Sequence, residues 1–455
     1  MVIVNGIAHL HNEISLLSSI PSHVSKRIVT FFLLQFILLL YIGDVLVDGS
    51  GESELVALAI VHRHGDRTPV NSFPKNIYGN CSYWPDGWGQ LTSCGKRRMY
   101  EVGKRIRKRY QNFLPHNIRD VLVRSSDADR CLESASLVLA GAFPPKDRWV
   151  WESNFHWVPI PIHTTPKPED GVLNPSSNCP EAQKEWSRIH SSKEFIEAGY
   201  PYKDVFEYLT IHTGMNVTDI GTAHLISDVI KIQKENNFTL PWWVTDEIFE
   251  KLLKITDLLF HFDYSTPTIQ RLRTGLLFED IKNKFFTAID SAPISLPDVY
   301  LPTSIKPKVF IYSTHDALLS AMLNALGAYN GIAPPYGTTT FFELRKNSHG
   351  RHEVSLLYLN STAEAYPLKM SACGSSSCDL EQFVRYIDKF IPGDWQAECG
   401  LRQSSAASLV YSLLSIPLSL IVIFGALFFF YFIISRRKKD KHYDKEYLYQ
   451  RLTLL

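Results

Sequence analysis

Three times along this chain an apolar run of strand character gives way to a short charged loop and then to a helical pattern. The runs are residues 55–61, 120–123 and 308–312. The loops are Arg63-His64-Gly65-Asp66-Arg67-Thr68-Pro69, Arg124-Ser125-Ser126-Asp127 and Ser313-Thr314-His315-Asp316. Helical spacing follows at about 93–112, up to about 141, and up to about 326, where Gly327 suits the terminus. Strands alternating with helices predict an α/β fold with a largely parallel sheet and helices on its faces. In such sheets ligands bind outside the carboxyl ends of the strands. Each charged loop falls at such an end, so three stretches far apart in sequence are expected to meet at one sheet edge.

Between residues 181 and 290 the pattern changes. Apolar residues recur at helical spacing over 195–209, 224–233, 247–259 and 269–289, which predicts a smaller helical insert domain. Residues 340–345 and 353–359 alternate like strands, with Asn347-Ser348-His349-Gly350 as the turn between them. The expected organisation is a signal region at 1–50, an α/β domain in two parts (51–180 and 291–403) around the insert at 181–290, a membrane helix at 409–434 and a tail at 435–455. At 455 residues the chain is long enough for this. A net charge of +1 gives no global field to draw it to nucleic acid.

The first loop carries the most chemistry. Two guanidiniums flank one imidazole, and arginine offers planar paired donors suited to phosphate oxygens. His64 between Arg63 and Arg67 is poised to meet an anion as nucleophile or as ligand. A basic surface loop is the plainer reading, but strand, glycine, proline and charges line up as an active-site edge. The motif Arg-His-Gly-x-Arg-x-Pro over residues 63–69 is similar to the signature of the histidine acid phosphatases. Residues 84–92 and 159–164 resemble the same family, and the likeness runs from about 55 to 399.

That resemblance implies a mixed, phosphoglycerate-mutase-like sheet with helices on both faces. It implies hydrolysis of small phosphomonoesters through a phosphohistidine on His64, with Arg63, Arg67, Arg124 and His315 holding phosphate and Asp316 as proton donor. Alone, Arg124 would serve as an ion-pair partner; its place directly after a strand favours phosphate. Arg130, in the following helix, and His62 are expected to be structural. Asp316 also suits the start of a helix. No cofactor or metal is expected, since no ligand spacing stands out. A specialised inositol-phosphate or lysophospholipid phosphatase, and a non-catalytic ectodomain binding phosphorylated ligands, are the rival readings.

Two apolar segments lie outside the globular pattern. Residues 28–42, after Lys26 and Arg27, read as a signal-peptide core, with an uncleaved anchor as the alternative. Residues 409–434 carry no charge and precede Arg436-Arg437-Lys438-Lys439, a stop-transfer pattern that places the large domain in the lumen or outside the cell. The sequons at Asn80, Asn216, Asn237 and Asn360 fall on that side. So do all seven cysteines. The family resemblance implies bridges Cys179–Cys399 and Cys373–Cys378. Cys81 and Cys94 are then free to pair, and Cys131 is expected as a buried thiol. Tyr449 and Leu452 have the form of a lysosomal sorting signal read by an adaptor. A type I membrane protein of lysosomes, endosomes or the cell surface is the resulting expectation, with a homodimer as a further option.

Overall fold

The computed structural model describes residues 35, 53–290, 307–360, 364–402 and 420–436. The first expected apolar segment, apart from Gln35, lies outside the described residues. So do the sorting residues Tyr449 and Leu452.

Strand β1 (Glu54–Arg63) is the centre of the sheet, and its sequence explains why. Ala57, Ala59 and Val61 enter one core while Leu58 and Ile60 enter another, so both faces are covered. A strand buried on both sides needs an almost continuous apolar run. Strands β2 (Val121–Ser126), β3 (His163–Thr165) and β4 (Val309–Thr314) join it in parallel, in the order β3-β2-β4-β1. On the other side of β1 the sheet turns antiparallel through β5 (Thr339–Lys346), β6 (His352–Leu359) and β7 (Tyr366–Pro367), with β8 (Ser377–Asp379) also on β6. The sheet is therefore mixed, and its parallel half carries the three charged loops. Gly350 takes a positive φ of 77° in the β5–β6 turn, where Asn347 Oδ1 accepts from the His349 and Arg351 amides.

Helices α1 (Ser93–Tyr110) and α2 (Asp129–Ala142) cover one face through Met99, Val102, Ile106, Ala135 and Val138. The insert follows as α3 (Pro180–His190), α4 (Lys193–Gly199), α5 (Lys203–Thr213), α6 (Ile220–Glu235) and α7 (Asp246–Asp263). The single helix expected over 195–209 is two: Pro201 lies in a short turn between α4 and α5, where its ring cannot continue a helical ladder. Side-chain caps at Ser192, Asp219 and Thr245 start α4, α6 and α7.

Helix α8 (Pro267–Asp290) serves both units. Ile269 and Leu272 pack in the insert core, whereas Leu277, Phe278, Ile281 and Phe285 pack on the sheet. Fully burying one such side chain contributes about 1.5–3 kcal/mol. A boundary at residue 290 thus falls beyond a helix already committed to the sheet. Helices α9 (Asp316–Ala325) and α10 (Leu380–Asp388) complete that face, and α11 (Trp395–Glu398) follows.

Cys179–Cys399 and Cys373–Cys378 are disulfides. Cys81 and Cys94 are not paired with each other. Cys81 is exposed in a short turn, Cys94 lies at the start of α1, and both are free thiols; Cys131 is free and buried in α2. Among the described residues no helix is long and apolar enough to cross a membrane. Of the expected span, residues 409–419 lie outside the described set, and 420–436 form a helix whose apolar side chains are exposed.

Candidate active site

Arg63 ends β1 in register with Thr314 at the end of β4, and Ser125 near the end of β2 is in register with Ser313. The three charged loops therefore leave the sheet side by side. His64 and His315 meet edge to face, with ring centroids 5.6 Å apart. A cleft of about 630 Å³ opens beside them, lined in part by Ser126, Arg130, Lys167, His315 and Asp316.

The loop after β1 is held by close backbone approach. A Cβ on Gly65 would stand 2.7 Å from the Gly95 carbonyl oxygen at the start of α1, so only glycine fits. The Gly65 amide donates to Ser134 Oγ of α2 at 3.0 Å. Asp66 is buried and takes Arg98 of α1 in a two-point ion pair, at 2.5 Å from Nε and 2.9 Å from Nη2. His64 Nδ1 lies 2.8 Å from the Gly65 carbonyl. A carbonyl only accepts, so Nδ1 carries the proton and Nε2 keeps its lone pair. Burial, with Arg63, Arg130, His315 and Arg67 nearby, holds the His64 imidazolium well below its ordinary range. The ring is thus neutral in mildly acidic solution.

Arg63 bonds the Pro334 carbonyl at 2.5 Å, pairs with Asp316 at 2.6 Å, and lies over the Tyr336 ring at 4.0 Å. Arg67 makes two 3.1 Å bonds to Asp228 of α6. Burial opposes its charge, but the paired Asp228 carboxylate helps to more than offset this. Arg130 donates to His315 Nδ1 at 3.4 Å. The Nε–H groups of Arg63 and Arg130 are buried with no acceptor among the described residues, an arrangement that ordinarily costs about 1–3 kcal/mol per group.

Arg124 is not brought into this cluster. It sits opposite Tyr312, two residues short of the end of β2, or about 6.6 Å back along the strand. There its guanidinium faces Asp280 of α8 at 3.9 Å, beside Lys284 and the Tyr312 hydroxyl. Arg130, expected to be structural, stands where Arg124 was expected.

His315 is packed between neighbours. Ser126 Oγ lies 3.0 Å from its Nε2, and Arg130 occupies Nδ1, so neither nitrogen points freely into the cleft. Burial and then the Arg130 charge push its pKa down to about 3. Burial works to raise the Asp316 carboxyl, but Arg63 and Arg67 outweigh it and hold the group ionised. Its Oδ1 also accepts from the Ala317 amide at 2.9 Å, a local bond of the helix start. His62 is wholly buried and neutral, with its pKa lowered by burial to about 4. Among the described residues no three His, Cys, Asp or Glu side chains group as metal ligands.

Four contributors were not legible as such: Arg130, the Asp66–Arg98 pair, Asp228 and Tyr336. Asp66 lies inside the signature, and Arg130 lies six residues past Arg124, but Asp228 and Tyr336 give no local signal.

Residues 54–358 match the family model described as Histidine phosphatase superfamily (branch 2). Prostatic acid phosphatase of Bos taurus is 37% identical over 377 residues, covering 81% of this chain and 94% of that protein. Lysosomal acid phosphatase of Xenopus laevis is 33% identical over 353 residues, covering 76% and 79%. The solved phytase of Citrobacter braakii shares the fold with a TM-score of 0.59 at 19% identity, over 76% of this chain and 99% of that one. The chain belongs to the histidine phosphatase superfamily, branch 2, and is a histidine acid phosphatase.

Proposed function

We propose that this enzyme hydrolyses phosphomonoesters at the meeting point of His64, Arg63, Arg67, Arg130, His315 and Asp316. The observation that carries the reading is the placement of a neutral, oriented His64 beside Arg63 and Arg130, whose buried Nε–H groups lack acceptors among the described residues. Three guanidiniums hold the equatorial phosphate oxygens and the charge that develops on them. His64 Nε2 attacks phosphorus as the ester P–O bond breaks, and Asp316 gives its proton to the departing oxygen. Water then attacks the phosphohistidine, Asp316 takes a proton from it, and inorganic phosphate leaves with His64 restored.

The resting site sets a condition on this scheme. Asp316 is ionised while it holds Arg63. An arriving phosphate draws Arg63 away and adds negative charge beside the carboxyl, and both effects raise its affinity for a proton. The expected position of Arg124 as a phosphate ligand passes to Arg130. His315 acts by packing against His64 and holding Arg130. Phosphate release from a panel of esters at several pH values, by the wild type and by folded His64→Ala, tests the proposal. Turnover by His64→Ala would overturn it. The same panel, extended to inositol phosphates and lysophospholipids, separates broad from specialised activity.

For location we propose a type I membrane protein of the lysosomal and endosomal system. The four sequon asparagines are exposed, two disulfides are formed, and the helix 420–436 presents apolar side chains outward. An adaptor would read Tyr449 and Leu452; a Tyr449→Ala variant with unchanged distribution would remove that assignment. A homodimer is favoured by the short edge strand β3, beside which Trp151, Phe155 and Trp157 are exposed.

A further inference from the structure

Helix α6 crosses from the insert to the catalytic cleft. Its residues 228, 231 and 235 lie on one face by helical spacing. Asp228 reaches Arg67, so this face looks onto the signature loop. Lys231 comes next. Its Nζ stands 5.7 Å from the Tyr336 ring centroid, the ring that Arg63 covers at 4.0 Å. That ring is itself 5.8 Å from the His64 ring. Lys231 is therefore one aromatic ring away from the imidazole.

Its surroundings are unusual for a half-buried ammonium. No carboxylate among the described residues lies within the 4.0 Å of an ion pair. Two of the nearby acids are otherwise engaged. Asp228 is taken by Arg67, and Asp257 accepts from the Ala333 amide at 2.9 Å. Glu235 sits one turn further toward solvent. Burial and the charge of Arg63 disfavour the protonated lysine by more than Glu235, Asp228 and Asp316 favour it, so a negative group between Lys231 and the signature loop would stabilise both cations.

We infer that Lys231 forms a subsite for a second anionic group on the substrate, favouring phosphomonoesters that carry a further phosphate or carboxylate a few bonds from the ester. This rests on the phosphatase site proposed above. Glu235 repels charge placed beyond the lysine, which favours compact doubly anionic substrates over extended ones.

The test uses the full-length protein in detergent and three substrates that differ in one group: glycerol 2-phosphate, 2-phosphoglycerate and glycerol 1,2-bisphosphate. The wild type should prefer the latter two by kcat/KM. Lys231→Met should reduce that preference about tenfold, or about 1.4 kcal/mol, and Lys231→Arg should retain most of it. Loss on the bisphosphate alone would assign the subsite to phosphate, and loss on both to anions generally. In the wild type, raising salt should erode the preference. Absence of the preference, its persistence in Lys231→Met, or an equal fall on all three substrates would overturn the inference. If Lys231→Met does not fold, a salt-independent preference in the wild type would do so. Failure of the wild type on every substrate would instead sink the phosphatase mechanism.

Discussion

Arg124 and Arg130 lie six residues apart, and the proposed exchange of their roles makes the sharpest mutational test. Arg130 is half-buried, touches the His315 ring, and has a buried Nε–H without an acceptor among the described residues. If it meets the transferring phosphoryl group, Arg130→Ala removes one preorganised donor. That costs about 3–4 kcal/mol, or roughly 10²–10³ in kcat. Arg124 faces Asp280, which keeps Lys284 at 3.6 Å and the Tyr312 hydroxyl at 2.7 Å when the arginine is gone. Asp280 is then still compensated, so Arg124→Ala should lose only about 1 kcal/mol of stability and little activity. Steady-state hydrolysis of p-nitrophenyl phosphate, with urea unfolding as the check on folding, separates the two. A pH signature accompanies the loss. Arg130 helps depress the His64 pKa, so the acid limb of kcat/KM should move to higher pH in Arg130→Ala. A folded Arg124→Ala variant as inactive as Arg130→Ala is expected to be would refute the assignment.

Asp316→Asn should slow esters with poor leaving groups far more than activated aryl esters, because only the former need the proton; a uniform loss across leaving groups would count against proton donation. Arg98→Ala strands the buried carboxylate of Asp66 and should cost about 3 kcal/mol in urea unfolding at neutral pH. A change below about 1 kcal/mol would show that the pair does not anchor the loop. His62 contributes a defined acid sensitivity. Its folded pKa is about 4 against an ordinary 6.5, so the unfolded chain binds more protons between these values. Stability should therefore fall as pH drops from 6.5 to 4, by up to about 3 kcal/mol, and level off below. His62→Asn should flatten that slope when unfolding is compared at pH 7 and 4.5; an unaltered slope would show that His62 is not its source.

The sheet and the loops at its edge were legible because their signals are local. A strand covered on both faces, as β1 is, must be apolar almost throughout, and the charges that follow mark where it leaves the core. The β5–β6 hairpin was legible through its Asn and Gly. The arginine set was only partly so. Whether Arg124 or Arg130 reaches the cleft depends on strand register and on how α2 is rotated against the sheet. Both are settled by packing between distant segments. Asp228 meets Arg67 across 161 residues, and Tyr336 arrives beneath Arg63 from the far side of the insert; neither sits in a motif. The break between α4 and α5 was readable from Pro201, but the apolar spacing runs across it and conceals it.

The phosphoenzyme tests the account most directly. Enzyme mixed with a substrate carrying radioactive phosphate, quenched in alkali and mapped by peptide, should carry the label on His64, stable in base and lost in acid. The label should be absent from His64→Ala. Acid-stable label on another residue, or full turnover with no labelled enzyme at any time point, would contradict attack on phosphorus by His64.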